Sequence, residues 1–482
     1  MRIRILAVIG ALTLMAQTAF ADQGSNPPWF PSLMAFEHYD SGRTHLFDQV
    51  NFHGSFAGDN MVNVRISPDD YPTPYNVVYL SAKKMFVYGG GFGDKGGTGA
   101  FVAQVNPKTL QIVWHTQLIN TVETNEWNYP GVVSALHDGF LYLIYGYRLA
   151  KIDPKDGHVV GQVVLPTLAE PRDTSYNGLD GLRDGTLIAK TVYRQKGCVQ
   201  DGFSAFLNCS DPTDVPNSLL VAINPKTLTI VDQVEVSEFT AGRVTTTRFK
   251  NTDYIYLAGS TQIYRYLYKD KHFTLDTSWG PVQYRDPASG QNTASALVVM
   301  NDWVVFSTNG GPATTGYSPW LSVIAINQAD AAKHVVQPFK KYVSPPGYPI
   351  SLGSASVSVD PVRNQIFALD AGPGMIGALE LRPDGLHSIW TVPQRTTEFL
   401  LLIGPWHRRV LVTTAIPDTQ SLATHSEDQV VWREAKTGRE LARSPLIPAI
   451  VSGIMLEPGY AGRLYSLSEN GKIIELTVQP AR

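Results

Sequence analysis

The pentapeptide Asn106-Pro107-Lys108-Thr109-Leu110 returns letter for letter as Asn224-Pro225-Lys226-Thr227-Leu228. Each copy follows a short apolar run (101–105 and 219–223) and precedes another (112–114 and 230–231). A turn that recurs between strands marks a repeat architecture, and a repeat sets the fold. Related turns begin at Asp153, Lys269, Asn327, Pro383 and Ala435. Successive turns are 45–58 residues apart, except for one step of 71 that contains both cysteines and reads as an insertion.

Short strand-like runs flank every turn in the same order. They make seven complete four-strand units and an eighth, over 454–478, that lacks its outer strand. Four-stranded units at this period are propeller blades. The expected fold is all-β, a single eight-bladed β-propeller, with seven blades as the runner-up. An N-terminal strand would complete the open blade, and residues 35–47 are the candidate. Closure of that kind removes the free sheet edge that invites aggregation. A pair of β-sandwiches would not need one turn type at regular intervals.

A length of 482 residues allows one large all-β domain. Aromatics at 10% suit many short strands, and 41 Gly with 32 Pro suit many tight turns. The net charge of −3 gives no electrostatic case for nucleic acid or an anionic membrane. Arg2 and Arg4, the apolar run 5–15 and Ala19-Phe20-Ala21 read as a cleaved secretory signal peptide over 1–21. Residues 22–34 are an irregular lead-in, and 35–482 form the propeller. No cysteine follows the apolar run, so a lipid anchor is not expected. The expected location is the periplasm or the exterior of a bacterium. No later run is long enough for a membrane helix. Cys198 and Cys209 would pair there as a disulfide closing a local loop.

Three segments carry a resemblance. They are Val105-Asn106-Pro107-Lys108-Thr109-Leu110-Gln111-Ile112-Val113-Trp114, Lys151-Ile152-Asp153-Pro154-Lys155-Asp156-Gly157 and Glu434-Ala435-Lys436-Thr437-Gly438-Arg439. The chain resembles the quinoprotein-dehydrogenase-like propeller superfamily, whose repeat ends a strand in Ala-x-Asp-x-x-Thr-Gly before an aliphatic pair and Trp. That resemblance implies pyrroloquinoline quinone, Ca²⁺ or both as cofactors, and oxidoreductase chemistry. The vicinal disulfide of the quinone-dependent alcohol dehydrogenases and any haem motif are absent from the sequence. The stretch from Tyr176 to Thr186 is also similar to the Asn-Gly-Leu-x-x-x-x-Asp-Gly segment of gluconolactonase-like calcium propellers. There the Asn, here Asn177, is a metal ligand.

Propeller function gathers where loops lead into the innermost strands. Polar residues at those positions include Glu126, Asn128, Asn177, Asp180, Arg243, Asn292, Ser354 and Glu398, and Lys190 interrupts an apolar strand. Glu126 and Asp180, with Glu398 and Asn carbonyls, are candidates for a Ca²⁺ cage. Asn128, Asn177 and Asn292 are cofactor-binding candidates. Lys190 and Arg243, with Glu398, are the catalytic candidates, the two cations suiting a quinone or substrate carboxylate. His38 and His45 sit beside the N-terminal strand. The functional expectation is an exported protein acting on a small organic substrate at the channel mouth, of quinoprotein type. The alternatives are a calcium-dependent lactonase-like hydrolase and a non-catalytic binding or scaffold propeller with a protein partner.

Overall fold

A computed structural model describes residues 28–91, 99–286, 293–309, 321–338, 356–371, 374–421, 425–451 and 453–481. The signal segment 1–21, Asn292 and Ser354 lie outside the described residues. Eight antiparallel sheets follow one another in chain order, each running from an innermost to an outermost strand. Blade 1 is Pro74–Ser81, Lys84–Gly89, Phe101–Val105 and Ile112–Gln117. Blades 2 to 7 begin at Val132, Thr174, Thr245, Val298, Ser358 and Leu401. Blade 8 contains Glu457–Pro458, Leu464–Leu467 and Ile473–Pro480. The inner strands are buried on both faces, as in blade 3, where every residue of Thr174–Gly181 and Leu187–Tyr193 is buried. The outermost strands alternate half-buried and exposed residues, which is what period-2 patterning dictates.

The ring is closed by an N-terminal strand, but not by residues 35–47. The outer strand of blade 8 is Asn60–Ile66, antiparallel to Ile473–Pro480 from Asn60↔Pro480 to Ile66↔Ile474. Its Arg65 reaches the Asn-Pro-Lys-Thr-Leu turn of blade 1, donating to the Pro107 carbonyl at 3.1 Å and to the Lys108 carbonyl. Residues 28–50 instead form a strap that fills the centre of the ring. Its backbone meets the innermost strands in sequence. Tyr79 N donates to Met34 O (2.7 Å), Ala135 N to Ala35 O (2.7 Å) and Thr246 N to Ser41 O (3.2 Å). Val299 N then donates to Gly42 O (2.8 Å), Val359 N to Thr44 O (3.1 Å) and Leu402 N to His45 O (2.9 Å). Leu46–Phe47 pairs in parallel with Leu402 and Ile403 on the inner edge of blade 7. The strap cannot be an ordinary strand, because His38, Tyr39, Arg43 and His45 all take positive φ, between 56° and 81°.

The repeated turns lie between third and outer strands. In the first copy Asn106 Oδ1 accepts from Lys108 N at 2.9 Å, and Leu110 adopts φ 61° with its side chain buried. Leu228 repeats the conformation at φ 52°. Neighbouring blades are joined at these turns by tryptophans. Trp114 of blade 1 lies over Gly157 of blade 2, and Trp390 of blade 6 lies over Gly438 of blade 7 and donates to the Ala435 carbonyl at 2.9 Å. Trp279 donates to the Asn327 carbonyl of blade 5 at 2.9 Å. The insertion in blade 3 is tied by the Cys198–Cys209 disulfide, with Cα atoms 6.3 Å apart. It carries the helix Gly202–Cys209, whose Phe206 stacks on Tyr129 at 4.6 Å.

Candidate functional site

The strap carries a concentration of polar side chains where stability alone would favour apolar ones. Glu37, His38, Asp40, Arg43 and His45 are all buried. Burying charges is costly unless they are paired, and these are paired. Glu37 Oε1 accepts from Arg43 Nη1 at 3.0 Å and faces Arg243 Nε at 2.9 Å. Arg43 Nε donates to the Val244 carbonyl at 2.8 Å. Arg243 further donates to the Asn177 carbonyl at 3.3 Å and to the Tyr75 hydroxyl. Gly178, at φ 108°, lets this pair approach the backbone, since a Cβ there would lie 3.3 Å from both Arg243 Cδ and Glu37 Oε1. Burial pushes Arg243 down to about 10, opposed by Glu37, so it stays charged at neutral pH.

A hydrogen-bond chain of fixed direction runs beside this triad. Ser358 Oγ donates to the Leu400 carbonyl, so toward His45 it can only accept. His45 Nδ1, 3.4 Å from Ser358 Oγ, therefore carries the proton. His45 Nε2 is then the acceptor for His38 Nδ1 at 2.6 Å. The remaining lone pair is on His38 Nε2, 3.7 Å from Glu37 Oε2. Burial lowers His45 to about 3, and burial followed by the neighbouring His45 lowers His38 well below its usual value, so both rings are neutral. Phe399 sets its ring edge-on against both, with centroids at 4.9 and 5.5 Å.

Lys190, Arg243, Glu398, Asp180 and Asn177 lie on or beside the inner strands, buried or nearly so. Lys190 is fully buried and donates to the Thr240 carbonyl, and burial, then Arg43, pushes its pKa well down. Glu398 accepts from Thr397 Oγ1 (2.6 Å) and Ile454 N (3.0 Å), and burial raises it well above the carboxylate range. Asp180 accepts from Gly181 N (2.6 Å) and Thr246 N (3.0 Å), and burial raises it to about 7. Asn177 Nδ2 donates to the Ala241 carbonyl at 2.7 Å. Two expected residues sit apart as joints between elements. Asn128 Oδ1 accepts from Gly146 N at 3.0 Å, and Glu126 holds Arg148 at 2.6 Å.

Glu126, Asp180 and Glu398 are not gathered into a cage. Among the described residues, the group with three ligand atoms within reach of one ion is Asp153, Asp156 and His158, on the exposed turn of blade 2. Among the described residues, Lys190 and Arg43 are fully buried, Lys190 bonded to backbone and Arg43 to the strap and to backbone, while Arg243 keeps a partly accessible side chain. The disulfide holds the blade 3 insertion and offers no platform at the strap. Sequence reasoning missed Glu37, Arg43, Ser358 and Phe399, which lie near the two histidines, and Tyr75, which lies against Arg243. The signal available was the density of ionisable side chains over 37–45.

The fold, an eight-bladed β-propeller, is shared with solved structures of low sequence identity, among them a quinohemoprotein alcohol dehydrogenase and a methanol dehydrogenase. Quinohemoprotein alcohol dehydrogenase from Comamonas testosteroni superposes with a TM-score of 0.56 at 11% identity, over 96% of this chain and 82% of that one. A europium-containing methanol dehydrogenase gives 0.58 at 8% identity, over 91% and 89%. The Dos1 propeller gives 0.52 at 8% identity, over 87% and 95%. No protein-family model matches the sequence. No curated protein matches it either.

Proposed function

We propose that this is an exported propeller enzyme that acts on a small organic substrate at the channel mouth, with His38 Nε2 as the general base. The observation that carries the reading is the direction of the Leu400–Ser358–His45–His38 chain, which leaves one imidazole lone pair beside Glu37. His45 fixes the tautomer of His38 and supports the charge His38 acquires when it takes a proton. Arg43 and Arg243 supply positive charge next to the base, where an oxyanion or carboxylate would be stabilised. Four left-handed residues in one short strap fit the same reading, because backbone strain persists where function demands it. Export is supported by the disulfide and the N-terminal segment 1–21.

A scaffold role is the second reading, favoured by the internal bonding of Lys190, Arg243 and Glu398. The deciding experiment is turnover of a panel of small hydroxy acids, lactones and alcohols by purified protein, with and without added pyrroloquinoline quinone and Ca²⁺. Activity that His38→Gln abolishes supports the base assignment. A panel with no turnover at all, together with stoichiometric capture of a protein partner, overturns it in favour of the scaffold.

A further inference from the structure

The polar atoms around the strap that are buried and have no hydrogen-bond partner include two of opposite sense in one bonded cluster. One is a donor, Arg43 Nη2, and the other is an acceptor, Asn177 Oδ1. Both belong to residues that Arg243 and Glu37 connect, through Arg43 Nη1 to Glu37, Glu37 to Arg243 Nε, and Arg243 Nη1 to the Asn177 carbonyl. An unmet buried donor or acceptor loses its hydration without replacement, and such groups call for an explanation. The ion pairing leaves this donor open. Glu37 is a single carboxylate between two guanidiniums, Arg43 and Arg243. Asp40, also on the strap, is raised by burial only to about 6 and is ionised at neutral pH, so the charges balance while Arg43 Nη2 itself has no acceptor.

Resting on the general-base reading above, we propose that the substrate is a small carboxylate with a neighbouring hydroxyl or amino group. Its carboxylate meets Arg43 Nη2, the guanidinium donor left open, beside Arg243. Its hydroxyl or amino hydrogen reaches Asn177 Oδ1, or the lone pair of His38 Nε2, which otherwise faces a carboxylate. Arg243 is the side chain of the triad that is still partly accessible, at 11% against 0% for Arg43 and 4% for Glu37. Its release from Tyr75 is the movement that admits the ligand.

Isothermal titration of the exported, full-length gene product tests this with lactate, glycolate, propionate, acetate and 1,2-propanediol as probes. Lactate and glycolate should bind about tenfold or more tightly than propionate and acetate, the factor one buried hydrogen bond of about 1.4 kcal/mol provides. Propanediol should not bind. Asn177→Leu should reduce the lactate-to-propionate ratio to near one while carboxylate binding persists. Arg243→Gln, checked for folding by circular dichroism, should abolish binding of every acid. Equal affinity for lactate and propionate overturns the hydroxyl contact, and no binding of any acid by folded protein overturns the site. Because the titration needs no turnover, acid binding in this pattern with no reaction would remove only the base assignment. Turnover of neutral substrates alone, lost in His38→Gln, would remove only this inference.

Discussion

Arg243 Nε lies 2.9 Å from Glu37 Oε1, which ties the fourth blade's inward loop to a strap that comes from the far N-terminus. Arg43 Nη1 holds the same carboxylate oxygen at 3.0 Å. Removing the carboxylate would leave two buried guanidiniums facing each other. Glu37→Gln should therefore destabilise the protein by about 3–5 kcal/mol, the usual cost of breaking a buried pair from one side. Denaturant midpoints check this, and the double variant Glu37→Gln/Arg243→Gln should be less destabilised than Glu37→Gln alone.

Asp180 has a native pKa raised to about 7 by burial. The native state then binds more protons than the unfolded chain between about pH 4 and 7, so this group's contribution falls as pH rises through that window. Asp180→Asn lacks the titration. Its stability deficit relative to the parent should shrink from pH 5 to pH 8, measured by urea denaturation at both values. A deficit that grows instead would contradict the assignment.

The blade joints at Gly157 and Gly438 should not tolerate a methyl group. A Cβ at Gly157 would lie 2.5 Å from Trp114 Cε3, and one at Gly438 would lie 2.8 Å from the Trp390 ring. Both glycines also have positive φ, 80° and 74°. Gly157→Ala and Gly438→Ala should each cost about 1–3 kcal/mol, visible as a lowered melting temperature. Alanine at Gly139, where nothing lies within 4 Å, is the control that carries only the backbone strain of φ 81°.

The disulfide closes a short loop, with the cysteines 11 positions apart. Constraining a loop of that size in the unfolded chain stabilises by about 2–3 kcal/mol on the entropic model. Cys198→Ser/Cys209→Ser should lose that amount, and it should loosen Phe206 from Tyr129 first. Hydrogen exchange over Gly202–Cys209 reads the local effect, while exchange in the inner strands should be little changed.

The pH profile of any turnover should keep its acid limb well below pH 6.5. A general base works unprotonated, and burial, then His45, lowers His38 below the usual histidine value. An acid limb at or above 6.5 would exclude His38 in this environment as the base.

The blades were legible because their signals are local. Alternating strands, the Asn-Pro-Lys-Thr-Leu turn and its relatives fix backbone geometry over a few residues each. The closing strand was legible in kind but misplaced. Asn60–Ile66 alternates polar and apolar residues as an outer strand should, whereas residues 35–47 are dense in charge and imidazole. Of the expected site residues, Arg243, Asp180 and Glu398 came from reasoning about the loops that converge on the channel, and Lys190 from a charge that interrupts an apolar strand. Their partners did not, because Glu37 and Arg243 are separated by more than 200 positions and no period links them.

The sequence by itself determined the repeat and favoured eight blades over seven, and it placed the two cysteines in one local loop, since each is set by spacing along the chain. Only the tertiary structure decided what fills the ring. A charged segment such as 37–45 has no local reason to be buried. It becomes stable in the centre only when the inner strands supply backbone donors, and Arg243, Val244 and Ser358 supply partners, from several blades at once. That many-sided satisfaction of buried polar groups is non-local, and it is also what gives His38 and the Arg43–Glu37–Arg243 triad their chemistry.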